Sequence, residues 1–205
     1  QIGKLKENLL FSNQPETKFL PLVKRANTIG ALLMGMAPGQ LPGQISLHDP
    51  SKTGLTGWPN LPEHEGKTTD QILESAANEE IDVLFLLGAD PLSDYRYPEL
   101  AKRALENTQT VIAVDLFVNP SVYQSDIIFP AAAFIESNGS HTNVEGRITP
   151  IRQKVTSPGT SRPDWMIAAE IAWRLDKDLE IENPEDVWRE IQAANLGHQE
   201  ITLHD

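Results

Sequence analysis

A chain of 205 residues and 22.7 kDa is long enough for one well-buried core. Its 40% hydrophobic and 22% charged residues exclude wholesale disorder, and its net charge of -12, from 17 Lys+Arg against 29 Asp+Glu, sets the surface against nucleic acid and anionic lipid, both of which demand positive charge. The absence of cysteine removes disulfides, thiolate nucleophiles, Cys-rich zinc sites and cysteine-held iron–sulfur clusters.

The opening residues, Gln1 to Lys6, carry neither an initiator Met nor the apolar core of a signal peptide, and they read as the interior of a longer polypeptide. Residues 19–36 place Leu22, Ala26, Ile29, Leu32 and Leu33 at helical spacing, which predicts a helix ending before Pro38-Gly39. Residues 48–67 are rich in Pro, Gly and polar side chains and predict a long surface loop. Thr69-Asp70 reads as a cap for a helix carrying Ile72, Leu73, Ala76 and Ala77 on one face. Val83–Leu87 reads as a strand buried on both sides.

The alternation continues with a helix over 98–106, a strand over 110–114 ending at Asp115, and a short strand over 127–129 stopped by Pro130, which lacks the N–H a sheet ladder needs. Asn138-Gly139 is a turn dipeptide, 148–155 carries a weak extended signal, and Pro158-Gly159 is a second turn. Helices are expected over 163–175 and 184–196, each opening on Pro and an acidic residue, the second stopped by Gly197. No apolar run approaches the roughly 20 residues of a membrane helix. The expected architecture is α/β, a doubly wound and mostly parallel sheet to which residues 1–178 belong, with 179–205 as a C-terminal helical extension.

A doubly wound sheet places ligands at the carboxyl ends of its strands. Three segments there are chemically distinctive: Gly88 to Pro91, Asp115, and the cluster of Asn143, Glu145, Gly146 and Arg147. Gly88 permits an unusual φ and close backbone approach, Asp90 offers an acceptor and Pro91 fixes the turn; a plain strand-to-helix turn is the other reading. Asp115 suits a ribose hydroxyl, a base amine or a cap. Glu145 and Arg147 are near enough in sequence for an ion pair, serving a ligand or the loop itself. His141 has no companion ligand, the five histidines show no metal spacing, and neither a Walker loop nor a Gly-x-Gly-x-x-Gly fingerprint occurs.

The order and spacing of Leu87-Gly-Ala-Asp-Pro91, Val114-Asp-Leu-Phe117, Ser125-Asp-Ile-Ile-Phe-Pro130, the run from Glu136 to Arg147, and the run from Pro158 to Trp165 resemble the molybdopterin oxidoreductase superfamily. Ala26-Asn-Thr-Ile-Gly-Ala31, Gly35-Met-Ala-Pro38 and Leu41-Pro-Gly43 resemble in particular the G-subunit family of bacterial NADH-quinone oxidoreductases, and Asp90 suits that family where catalytic members more often have Asn. The resemblance implies that Gly88, Asp90, Pro91, Asp115, Asn143, Glu145, Gly146 and Arg147 mark a molybdopterin guanine dinucleotide pocket, vestigial in the G-subunit family. It further implies no cofactor held by this chain, iron–sulfur clusters in a part N-terminal to it, the other peripheral-arm subunits as partners, and a place on the cytoplasmic side of the inner membrane. The competing reading is a cofactor-binding part of an active formate-dehydrogenase-like or nitrate-reductase-like enzyme. One position departs from the pattern: His141 stands where catalytic members usually carry an aromatic residue.

Overall fold

The structure, a computed structural model, describes residues 23, 25–43, 45–49 and 61–194. Within them the first expected helix is confined to α1 (Thr28–Leu33); residues 19–22 of that expectation lie outside the described residues. The helix begins late because Asn27 is engaged elsewhere. Its Oδ1 accepts from the Thr142 N–H at 2.9 Å and makes no cap bond of its own. A Cβ on Gly30 would lie 2.1 Å from that oxygen, so a glycine is what lets the Asn27 side chain fold back over α1. Gly35, at φ +80°, then turns the chain toward the antiparallel pair β1 (Gln40–Leu41) and β2 (Ile45–Ser46). Of the expected loop, 50–60 lie outside the described residues, and 61–67 contain neither helix nor strand.

Helix α2 (Thr69–Ala77) starts one residue past its cap, which is Thr68 and not Thr69. Thr68 Oγ1 accepts from the Gln71 N–H at 3.3 Å while Gln71 Oε1 accepts from the Thr68 N–H at 2.9 Å, a reciprocal capping box. There follow β3 (Val83–Leu87), α3 (Pro91–Asp94), α4 (Pro98–Asn107), β4 (Thr110–Asp115), α5 (Pro120–Tyr123) and β5 (Ile127–Pro130). The three strands form a parallel sheet in the order β3-β4-β5, with Phe85, Ile112 and Ile127 in one row. One sheet face is packed: Leu84, Leu86, Val111 and Ala113 cluster with Leu105 of α4 and Val122 of α5. Behind them Leu73, Ala76 and Ala77 of α2 meet Ala104 of α4, small side chains that let the two helices approach closely.

One expectation about the strands needs correction, and one bound moves. β3 is not buried on both sides: Val83, Phe85 and Leu87 are each about half exposed, since the described helices α2, α4 and α5 pack only on the Leu84–Leu86 face. The third strand does end at Pro130 as expected, with the bound shifted by one residue: Pro130 is the last residue of β5 and not the first beyond it. It closes β5 opposite Asp115, which is tolerated because β5 is an edge strand and Pro still has a carbonyl to offer; that oxygen accepts from the Arg162 N–H at 3.1 Å.

A short 3-10 turn (Phe134–Glu136) leads into an antiparallel ribbon of β6 (Gly139–Thr142) and β7 (Ile148–Ile151). Asn138-Gly139 is therefore not a turn but a strand entrance, and Asn138 Oδ1 accepts from the Gln153 N–H across the ribbon at 2.9 Å. Pro158-Gly159 does turn, with Gly159 at φ +58°. Arg162 bridges to Ala131 and brings α6 (Asp164–Arg174) beside β5. Of the apolar stripe expected on α6 only Ile167 is buried, and Leu175 just past its end is 68% exposed. The extension carries α7 (Pro184–Ala194), whose first turn is held by Asn183 and Asp186 accepting from each other's N–H groups; the Gly197 stop lies outside the described residues. No helix among the described residues is long and apolar enough to cross a membrane.

Candidate functional site

The carboxyl edge of the parallel sheet gathers Gly88, Asp90, Pro91 and Asp115 as the strand pattern predicts. Gly88 extends β3 by donating to the Val114 carbonyl at 2.8 Å. It sits at φ +56°, and a Cβ there would meet nothing within 4 Å, so the backbone conformation that favours glycine coincides with open space, as it also does at Gly146 and Gly159. A cavity of about 480 Å³ opens beside it, lined by Phe85, Gly88, Ala89, Asp90 and Pro91 with Arg25 at its margin. Arg25 is held there by an ion pair to Asp94 at 2.8 Å.

Asp90 opens α3, and its carboxylate reaches across to the start of α5. Oδ1 accepts from the Ser121 hydroxyl at 2.5 Å and from the Ser121 N–H at 3.3 Å, and Ser121 Oγ in turn accepts from the Leu92 N–H at 3.1 Å. Burial pushes the Asp90 carboxyl up, but the hydrogen bonds from Ser121 and Ser93 together outweigh it, so the group is held below the ordinary aspartate value. Asp115 is likewise occupied. Its Oδ1 accepts from the Leu116 N–H at 2.6 Å and its Oδ2 from the Asn119 amide at 2.9 Å, while Asn119 Oδ1 caps α5 through the Val122 N–H at 2.9 Å.

The second group, Asn143 to Arg147, forms the tip of the β6–β7 ribbon. Asn143 Oδ1 accepts from the Glu145 N–H at 3.0 Å and the Arg147 N–H at 2.9 Å, with Gly146 at φ +82° closing the turn. The Glu145–Arg147 ion pair does not form: among the described residues the ion pairs of this half join Arg162 and Arg174 to Glu170, and Arg189 to Asp186. An Asx turn fixes the loop instead, leaving both charges exposed. The cavity beside Gly88 is lined by neither Asp115 nor any of these ribbon residues. His141 lies mid-strand opposite Thr149. Among the described residues there is no cluster of His, Asp and Glu that could hold a metal ion.

Sequence reasoning overlooked Ser121, Asn119 and Asp164. The first two are small polar residues around a Pro-led helix start, a signal for capping, but their partners lie up to 31 positions away. Asp164 looks from sequence like an ordinary first-turn acid. Although the residue keeps an exposed edge, its carboxyl is pushed above the ordinary 3.8, first by desolvation and then by the neighbouring Asp115 carboxylate. A raised aspartate favours folding while protonated, and that contribution is lost as pH rises through its folded value, so ionised Asp164 costs stability at neutral pH. Asp164→Asn is therefore expected to raise the thermal midpoint at pH 7, with the gain vanishing below about pH 3.8; equal midpoints at pH 7 would refute the electrostatic conflict.

Comparison with known proteins places this edge in context. The family model "Molybdopterin oxidoreductase" matches residues 4–174. The chain is 32% identical over 174 residues to the alpha subunit of the NADPH-Fe(3+) oxidoreductase of Geobacter sulfurreducens, covering 84% of this chain and 20% of the relative. It is 31% identical over 206 residues to the G 2 subunit of the NADH-quinone oxidoreductase of Rhizobium meliloti, covering 98% and 24%. It is 28% identical over 192 residues to the assimilatory nitrate reductase catalytic subunit of Bacillus subtilis, covering 90% and 27%. The chain thus spans about a fifth to a quarter of the length of these relatives. Among solved structures, acetylene hydratase from Pelobacter acetylenicus superposes with a TM-score of 0.53 at 19% identity over 66% of this chain and 19% of that one, a likeness of fold. With most of its length matched by the family model and its sheet edge built as described, the chain belongs to the molybdopterin oxidoreductase family.

Proposed function

We propose that this chain is a non-catalytic, structural portion of the large peripheral-arm subunit of an NADH-quinone oxidoreductase. It supports electron transfer whose iron–sulfur ligands lie outside it, since a chain without cysteine supplies no thiolate. The observation that carries the reading is the engagement of Asp90, Asp115 and Asn143 within the chain itself. Asp90 Oδ1, both carboxylate oxygens of Asp115 and Asn143 Oδ1 accept from the chain's own N–H and O–H groups. Gly88 fits the close approach of a cofactor, but these acceptors and the separate ribbon tip do not fit a cradle for a pterin dinucleotide. In this reading the pocket is vestigial. Similarity to the Rhizobium G-type relative over 98% of this chain, and 24% of that one, supports the same reading, with the other peripheral-arm subunits as partners on the cytoplasmic side of the membrane. The similarity to a nitrate reductase catalytic subunit favours the second reading, a cofactor-binding part of an active molybdenum enzyme.

Elemental analysis of the full-length polypeptide, purified within its complex, separates the two. The expected result is iron without stoichiometric molybdenum or tungsten, alongside NADH-dependent quinone reduction. One molybdenum or tungsten per polypeptide would overturn the structural reading.

A further inference from the structure

A second cavity, of about 390 Å³, opens between the end of β5 and one face of α6, and none of Gly88, Asp90, Pro91, Asp115 or the ribbon tip lines it. Helical spacing builds its wall. Ile167, Glu170, Ile171 and Arg174 recur at i, i+3, i+4 and i+7 and so share one face of α6, while Phe129, Pro130 and Arg162 line it from β5 and from the segment that bridges to it.

The charge in this wall is unbalanced. Glu170 Oε1 accepts from Arg174 Nη2 at 2.7 Å and Nε at 3.2 Å, and its Oε2 accepts from Arg162 Nη1, so two guanidiniums converge on one carboxylate and leave a net positive charge in a chain of net charge -12. That excess is felt at Glu170 itself, whose carboxyl is held below its ordinary 4.5 by the Arg174 hydrogen bond first and the Arg162 charge second. Glu170 does not exhaust the donors. Arg174 commits two N–H groups to it and Arg162 one, and neither guanidinium has another acceptor among the described residues. The donors left over are within reach of a ligand, since the Arg174 and Arg162 side chains keep 66% and 49% of their surface exposed.

The rest of the lining is Phe129, Pro130, Ile167 and Ile171, with Thr160 beside them. An inorganic anion would leave these apolar walls unused, a neutral hydrocarbon would leave the guanidiniums unused, and a cation would be repelled. A planar carboxylate matches the fork of a guanidinium, and a space of this volume is one that small organic ligands fill. We propose that this cavity binds a small monocarboxylic acid, its carboxylate shared by Arg162 and Arg174 and its hydrocarbon body set against Phe129, Ile167 and Ile171. The inference stands apart from the structural role proposed above.

Isothermal titration calorimetry of the full chain with 3-phenylpropionate at low salt tests it. 3-Phenylpropanamide serves as the same body without the charge, and acetate as the charge without the body. The acid is expected to bind saturably, about tenfold more tightly than either control, and to weaken as salt is added. Arg174→Gln, at an exposed position in the last turn of α6, cancels the net charge and should weaken the acid about fivefold. Glu170→Gln removes the one competing carboxylate and should tighten it, and both variants should leave the amide within about twofold. The wild-type comparison of acid with amide stands alone should either variant fold poorly. No saturable heat from 3-phenylpropionate, an amide bound as tightly as the acid, or a folded Glu170→Gln variant that binds the acid no better than wild type would each overturn the proposal.

Discussion

Leu86→Ala is expected to destabilise the chain by about 2–5 kcal/mol, whereas Phe85→Ala, one position away on the same strand, is expected to cost under about 1 kcal/mol. Leu86 is 6% exposed and packs in the cluster with Leu84, Leu105, Val111, Ala113 and Val122. Its truncation removes apolar contact and opens a cavity that α4 and α5, fixed by their own packing, cannot collapse to fill. Phe85 projects from the opposite face, where it is 46% exposed. Denaturant titration of both variants measures the contrast. Equal losses would mean that the outer face of the sheet is as well covered as the inner one, contrary to the packing of the described residues.

Ser121→Ala carries the second large effect. Ser121 is fully buried, and its hydroxyl mediates between the Asp90 carboxylate and the Leu92 N–H. The methyl group of alanine satisfies neither, so the Leu92 donor is left without its partner and Asp90 loses its shortest bond, at an expected cost of about 1–3 kcal/mol. The pH dependence identifies the cause. Asp90 is held below its ordinary value of 3.8, so its contribution is present above that value and is lost as pH falls through its folded one. Because Ser121→Ala raises the folded value toward the ordinary one, the stability gap between variant and wild type should be wide at pH 7 and narrower below about pH 3.8. A gap of constant width would assign the effect to packing alone.

The strands and α4 were legible because their apolar runs and Pro-led starts are local signals, and local signals survive whatever surrounds them. Burial was not. A run such as Val83–Leu87 reports a strand suited to cover on both faces, yet the described helices supply cover for one. The Asn138-Gly139 dipeptide misled because a turn preference is weak beside the pairing of Gly139 with Ile151, which starts the ribbon at that residue. The carboxyl-edge residues were located correctly from the strand ends. What each does there was hidden, since the partners of Asp90 and Asp115 are set by how α5 docks and not by neighbours in sequence.

The bond from Asn27 to Thr142 carries a consequence for the order of events as the chain folds. It joins residues 115 apart, whereas each parallel strand pairs with the next across a single short crossover. Closing a longer loop costs more entropy before any contact repays it. The sheet with its inner helices can therefore assemble early, while the docking of α1 against the ribbon comes late. Until it does, the N–H of Thr142, a residue only 2% exposed in the finished fold, has water as its partner in place of Asn27.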